Sequence, residues 1–305
     1  MSTPPEVPED VGRDLLREGY LADEGLATAI FLALRLGRPL FLEGEPGVGK
    51  TEVAKVLARI TGGELLRLQC YEGIDAAQAL YEWDYARQML HLRVAEATGA
   101  LSGGATNEVE SQLYSERFLI RRPLLRALEA SIHGVPPVLL IDELDRADDE
   151  FEAFLLEILA DSAVTIPELG TIRAEVPPVV VITSNRTRDV HDALKRRCLY
   201  HWVDHPTFER EVAIVRLRVP EVDDVLARQA SAAVAELRER GLYKPPGVAE
   251  TIDWVQALQA IGRAALDDAS VDATLGTVVK HREDLERVRS AGVADLVKAA
   301  VARAR

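Results

Sequence analysis

Gly44-Glu45-Pro46-Gly47-Val48-Gly49-Lys50-Thr51 reads G-x-x-x-x-G-K-T, and its flanks supply the context that such a loop requires. Pro39-Leu40-Phe41-Leu42 before it is an apolar run with the character of a buried parallel strand. After it, Val53, Val56, Leu57 and Ile60 recur at helical spacing. A strand, a glycine-rich turn and a helix in that order bring successive backbone N–H groups to the positive end of the helix, where a phosphate binds. Lys50 then reaches β- and γ-phosphate oxygens, and the Thr51 hydroxyl is suited to ligate Mg²⁺. The stretch therefore implies a nucleoside triphosphate, and the bare glycine-rich turn is the weaker reading.

Working outward, Val138-Leu-Leu-Ile141 is a second buried run, and it ends in two carboxylates, Asp142 and Glu143. An Asp at the C-terminal edge of a strand holds Mg²⁺ through its water shell. The following Glu faces the other way and can polarise a water for in-line attack. Val179 to Ser184 is a third such strand, expected to lie between the first two, and Asn185 follows it. Its amide suits a hydrogen bond to the attacking water or the γ-phosphate; a turn-forming Asn is the plainer alternative. Arg196 and Arg197 close a short helical stretch. A guanidinium stabilises charge on a transferring phosphoryl group, although basic residues also favour helix C-termini for the dipole alone. His201, Asp204 and His205 alternate as on a strand, which separates i and i+4 by about 13 Å and excludes a shared zinc ion.

The chain has 305 residues, 48% of them hydrophobic and 28% charged, enough for one large or two ordinary cores. Its net charge of −14 argues against nucleic acid as the main partner, because phosphate neutralisation needs clustered Lys and Arg. Two distant cysteines, Cys70 and Cys198, fit neither a disulfide framework nor a zinc site and point to the cytoplasm. The longest apolar stretch, Leu26 to Leu36, contains Arg35 and is too short for a membrane span. Residues 1–10 are proline-rich and acidic and read as a flexible tail. Residues 11–206 read as an α/β nucleotide domain, a parallel-sheet sandwich, and 207–305 as a small all-α domain. Within the first, Ser102 to Asn107 has the composition of a loop, and Pro167 to Gly170 between two strand-like segments signals a hairpin.

Taken together, Gly44–Thr51, Asp142-Glu143, Thr183-Ser184-Asn185 and Arg196-Arg197 resemble an AAA+ ATPase. Phe151 to Leu159, Thr165 to Gly170, Thr183 to Thr187 and Asp192 to Tyr200 are closest to the MoxR family, and within it to the carbon monoxide dehydrogenase maturation branch. The resemblance is strong over 37–206 and weaker beyond. It implies an insertion in the second helix within about 72–115, a hairpin at 163–175 ahead of the sensor strand, and a helical lid. It further implies Asn185 as sensor 1 and Arg197, with Arg196 as the alternative, as a finger reaching the ATP of a neighbouring copy in a ring, most often a hexamer. The partners it implies are a von Willebrand factor A domain protein and a molybdenum-containing metalloenzyme client. One departure is clear. Lys244 to Trp254, where such lids carry a sensor 2 arginine, contains none. A nucleic-acid-directed motor and a non-hydrolysing scaffold are the competing readings, opposed respectively by the acidic charge and by the full set of Asp142, Glu143, Asn185 and Arg197.

Overall fold

The three apolar runs become neighbouring strands. The computed structural model describes residues 5–97, 112–130 and 134–305. Its main sheet has five strands in the order β2-β5-β8-β1-β9, formed by β1 (Leu40–Gly44), β2 (Leu65–Gln69), β5 (Val138–Asp142), β8 (Val179–Ser184) and β9 (Leu199–Val203). The pairs β2–β5 and β5–β8 are parallel. All five residues of β5 are buried, which a parallel strand covered on both faces demands. As expected, β8 separates β5 from β1.

The helices that precede or separate these strands include α1 (Pro8–Arg17), α2 (Glu24–Leu36), α3 (Lys50–Thr61), α6 (Pro123–Glu129), α7 (Asp149–Asp161) and the short α8 (Asp192–Lys195). Phe41, Leu68, Ile141 and Ile182 from the strands pack with Leu125 of α6 and with Phe151 and Leu155 of α7 in one apolar cluster. Residues 8–10, expected in the tail, are the first turn of α1. The Asp10 carboxylate accepts the N–H groups of Glu6 at 2.9 Å and Val7 at 3.2 Å, which satisfies donors that the helix start leaves open.

Between β2 and β5 lie α4 (Ala76–Leu80), β3 (Tyr81–Trp83), α5 (Tyr85–Ala97) and β4 (Leu119–Arg121), with β3 and β4 forming an antiparallel pair. Asp75 caps α4 by accepting the Gln78 N–H at 2.7 Å. The expected loop at 102–107 lies outside the described residues. Ahead of β8, β6 (Ala163–Ile166) and β7 (Gly170–Arg173) form the anticipated hairpin, with Thr165 and Thr171 hydroxyls bonded across it at 2.9 Å.

From Phe208 on the chain is helical: α9 (Phe208–Arg218), α10 (Asp224–Glu239), α11 (Val248–Ala260), α12 (Asp268–Val278), α13 (Arg282–Ala291) and α14 (Val293–Arg303). Trp254, Leu226, Leu237, Leu275 and Leu296 meet in its core, and the Trp254 indole donates to the Thr274 hydroxyl at 2.7 Å. The buried carboxylate of Glu211 is satisfied by both Nη atoms of Arg238, at 2.6 and 2.9 Å, and by the Thr251 hydroxyl at 2.6 Å.

The compact units do not divide at one point near 206. One comprises residues 1–11, 24–42 and 54–201; the other comprises 12–23, 43–53 and 202–305. Local bonds explain why the phosphate-loop segment groups with the C-terminal helices. The Val248 and Ala249 N–H groups at the start of α11 donate to the Gly47 carbonyl at 3.0 and 3.3 Å, and Arg218 pairs with Glu52 at 3.4 Å.

Candidate active site: a phosphate loop and a carboxylate cluster

The phosphate loop belongs to the unit that carries the C-terminal helices. Gly47 and Gly49 have φ of 76° and 95°, a region that side chains disfavour, so the sequence pattern is a backbone requirement here. A Cβ on Gly47 would also lie 2.8 Å from Glu250 Oε2. Lys50, only 5% exposed, donates its ammonium to the carbonyls of Gly44 and Glu45, both at 2.7 Å. The lysine is thus held within the turn that Gly44, Glu45, Pro46, Gly47, Val48 and Gly49 trace, at the first position of α3. Thr51 follows on that helix's opening turn. Backbone N–H groups, a helix N-terminus and a buried ammonium are the chemistry of a polyphosphate cradle.

Close to the loop stands His205. Burial pushes its imidazole down to about 4, with the charges of Arg238 and Lys50 acting in the same direction and Asp204 opposing. Its Nδ1 is buried without a hydrogen-bond partner among the described residues. No arginine occupies the start of α11, in keeping with the sequence; Arg238, the cation of α10 near His205, is committed to Glu211 and to the Pro246 carbonyl at 2.7 Å.

The acid cluster belongs to the other unit, and Thr183 organises it. Register sets Ile141 opposite Ile182, so Asp142 and Thr183 follow side by side. The Thr183 hydroxyl donates to Asp142 Oδ1 at 2.6 Å and accepts the Glu143 N–H at 3.0 Å. Glu143 leaves the strand in a left-handed turn with φ of 56°, which carries its side chain away from that of Asp142. There its carboxylate meets three donors: Gln69 Nε2 at 3.0 Å, Arg146 Nε at 3.0 Å and Asn185 Nδ2 at 3.3 Å. The strand-end asparagine and the second acid therefore come together.

Asn185 is itself positioned by Asp145. That buried carboxylate accepts the N–H groups of Asn185 at 3.1 Å and Thr187 at 2.8 Å, together with the Thr187 hydroxyl at 2.6 Å. The loop after β5 is in this way stitched to the loop after β8. Asp142 Oδ2 accepts from Arg67 Nη2 at 2.5 Å and from Nε at 3.0 Å. Arg67, Gln69, Asp145, Arg146 and Thr183 were not assigned roles from the sequence. The alternation Leu66-Arg67-Leu68-Gln69 was a usable signal, since it sets both polar groups on one face at the end of a strand.

Arg196 and Arg197 lie just past α8, both exposed. Arg38 ties down their backbone by donating to the carbonyls of Arg196 at 2.9 Å, Arg197 at 3.1 Å and Cys198 at 3.2 Å. The two side chains are not equivalent: Arg197 Nη1 donates to the Leu156 carbonyl at 2.8 Å. The thiols of Cys70 and Cys198 are both pushed up to about 12, chiefly by burial, which makes them inert packing groups.

Asp142, a buried carboxylate, and Thr51, a hydroxyl on the opening turn of α3, each carry the hard oxygen chemistry that Mg²⁺ prefers. Among the described residues, no three His, Cys, Asp or Glu side chains cluster as a cage that would hold a metal without nucleotide.

A five-stranded parallel sheet with a G-x-x-x-x-G-K-T turn and an acid pair at its strand ends defines a P-loop nucleoside triphosphatase fold. Residues 39–198 match the family model described as "AAA domain (dynein-related subfamily)", and the chain belongs to that family. It is an AAA+ ATPase, an ATP-hydrolysing enzyme with a helical C-terminal region. Among curated proteins it is similar to "Uncharacterized protein YehL" of Escherichia coli K12, at 26% identity over 85% of this chain and 74% of that protein. It is 29% identical to "ATPase family gene 2 protein homolog B" of Bos taurus over 69% of this chain, and it spans only 22% of the length of that relative. Among solved structures it resembles the Thermotoga maritima RuvB Holliday junction branch migration motor, with a TM-score of 0.45 and 16% identity over 99% of this chain and 89% of that one. No helix among the described residues is long and apolar enough to cross a membrane.

Two outcomes follow from this geometry. Thr183→Val deletes the hydroxyl shared by Asp142 and the Glu143 N–H, and should cost about 1–3 kcal/mol in chemical denaturation. For His205, the folded value of about 4 lies below the ordinary 6.5. The unfolded chain therefore takes up the proton first as pH falls, so this group's contribution to stability is present above 6.5 and lost between 6.5 and 4. His205→Gln should flatten the fall in melting temperature across that window; an unchanged slope refutes the assignment.

Proposed function

We propose that the acid cluster and the phosphate loop act on one bound ATP. The observation that carries this reading is the convergence of Gln69, Arg146 and Asn185 on Glu143, beside a separately held Asp142. In this reading the backbone of Gly44–Gly49 and the ammonium of Lys50 bind the β- and γ-phosphates. Thr51 and Asp142 hold Mg²⁺, which supplies charge neutralisation on the phosphate oxygens when bound. Glu143 accepts the proton of the attacking water, and Asn185 orients that water and Glu143 together.

Arg197 serves as the finger toward the nucleotide of a neighbouring copy, after leaving the Leu156 carbonyl. The exposure of both arginines past α8 and the anchoring of their backbone by Arg38 support a finger at this position, with Arg196 as the alternative. A guanidinium acting in trans requires an oligomer, and a hexameric ring is the assembly the MoxR resemblance favours. In that setting the enzyme would remodel or activate a partner protein in the cytoplasm during maturation of a molybdenum-containing, carbon monoxide dehydrogenase-like metalloenzyme, with a von Willebrand factor A domain protein. The hairpin β6–β7 and the elements α4–β4 support the remodelling role, because both lie in the stretches at which the family resemblance locates its work-delivering inserts.

Glu143→Gln should bind ATP yet hydrolyse it at least about 100-fold more slowly, the usual scale of a general base. Turnover near wild type would remove Glu143 from that role. Lys50→Ala should abolish nucleotide binding, and Arg197→Ala should bind but not hydrolyse. Mixing those two inactive variants should restore part of the ATPase rate, since an intact site then forms between an Arg197→Ala loop and a Lys50→Ala finger. No recovery on mixing argues against a finger in trans.

A further inference from the structure

Of the charged groups around the acid cluster, Arg67 is one to which the proposed hydrolysis assigns no part. It stands on β2, opposite Leu140 of β5, two residues before Gln69, which is itself opposite Asp142. Strand alternation puts Arg67, Gln69 and Asp142 on one face of the sheet. From there the Arg67 fork closes on a single oxygen: Nη2 and Nε both donate to Asp142 Oδ2, at 2.5 and 3.0 Å. The other oxygen, Oδ1, is taken by the Thr183 hydroxyl. The Asp142 side chain is 3% exposed and that of Arg67 is 53% exposed, so the carboxylate is fixed and the guanidinium is the member able to leave.

The same Nη2 also donates to Gln69 Oε1. That contact leaves the amide nitrogen of Gln69 pointing at Glu143 Oε2, 3.0 Å away. One guanidinium thus touches the magnesium-side acid directly and the water-side acid through a single amide.

We propose that Arg67 is a resident latch on Asp142: it holds Oδ2 until a divalent cation entering with the nucleotide displaces it, and its departure releases Gln69 from Glu143. Two guanidinium N–H groups occupy the two lone pairs of Oδ2, so a hydrated cation cannot use that oxygen while the latch is closed. A divalent ion and a guanidinium on one carboxylate also repel each other strongly in so buried a place. Arg67 acts through Asp142 and Gln69 and is a positioning residue. The inference rests on the reading of Asp142 as the magnesium-side acid.

The test is a Mg²⁺ titration of a fluorescent, non-hydrolysable ATP analogue bound to the full chain, run on wild type, Arg67→Met, Arg67→Lys and Asp142→Asn. Arg67→Met should lower the Mg²⁺ concentration for half-maximal binding by about tenfold, the scale of one charge-assisted pair. Its affinity for the analogue in EDTA should match wild type. Arg67→Lys keeps the charge and loses the fork, so it should shift in the same direction by less; it also carries the test if Arg67→Met does not fold. Equal Mg²⁺ dependence in wild type and the Arg67 variants overturns the latch, as does an equal shift in EDTA, which would mark a general charge effect. If instead Asp142→Asn retains the wild-type Mg²⁺ dependence, the assignment of Asp142 fails, and that outcome is distinct from failure of Arg67.

Discussion

A buried carboxylate must be satisfied on every side, and Asp142 sets the pattern for everything around it. It ends the interior strand β5 and is almost wholly removed from water, where an unpaired charge is intolerable. Thr183 on one neighbouring strand and Arg67 on the other supply its partners, which is possible because β2 and β8 flank β5 in parallel register. The Thr183 hydroxyl then has a lone pair left for the Glu143 N–H, and that bond steadies the left-handed turn that sends Glu143 away from Asp142. Two adjacent acids consequently acquire separate surroundings, the arrangement that the proposed division of roles between them requires.

The same logic extends outward through a second buried acid. Asp145 takes backbone N–H groups from Asn185 and Thr187, so the loops after β5 and β8 hold one geometry. Further out, Glu152 on α7 is fully buried, pairs with Arg188 and accepts the His191 N–H at 2.7 Å. That bond anchors the start of α8, the helix that leads into Arg196 and Arg197. A line of buried acids thus runs from the end of β5 to the arginines that follow α8.

Much of this was legible in the chain itself. The apolar runs 40–42, 138–141 and 179–183 became the strands expected of them, and β8 fell between β5 and β1 as the order of motifs suggested. The hairpin was legible from Pro167 to Gly170, because turn chemistry is local. The helical start at Pro8 was not, because a proline-rich acidic segment reads as a tail until Asp10 is seen to take two N–H groups. Nor was the single boundary near 206 found: the phosphate loop shares its backbone bonds with α11, and bonds between segments so far apart in the chain leave no trace in composition.

What the sequence determined by itself is the chemistry on offer: a phosphate loop whose glycines are needed for φ, an acid pair at a strand end, an asparagine and two arginines. Each depends on residues close together in the chain, where strand and helix periodicity and turn geometry dictate conformation. What only the tertiary structure decided is who controls those groups. Arg67 and Gln69 lie 75 and 74 positions from the acids they hold, and only the register of β2 against β5 brings them there. Strand pairing is a long-range choice, made by burial of both sheet faces, and it turns two unremarked polar side chains of an edge strand into partners of the acid pair.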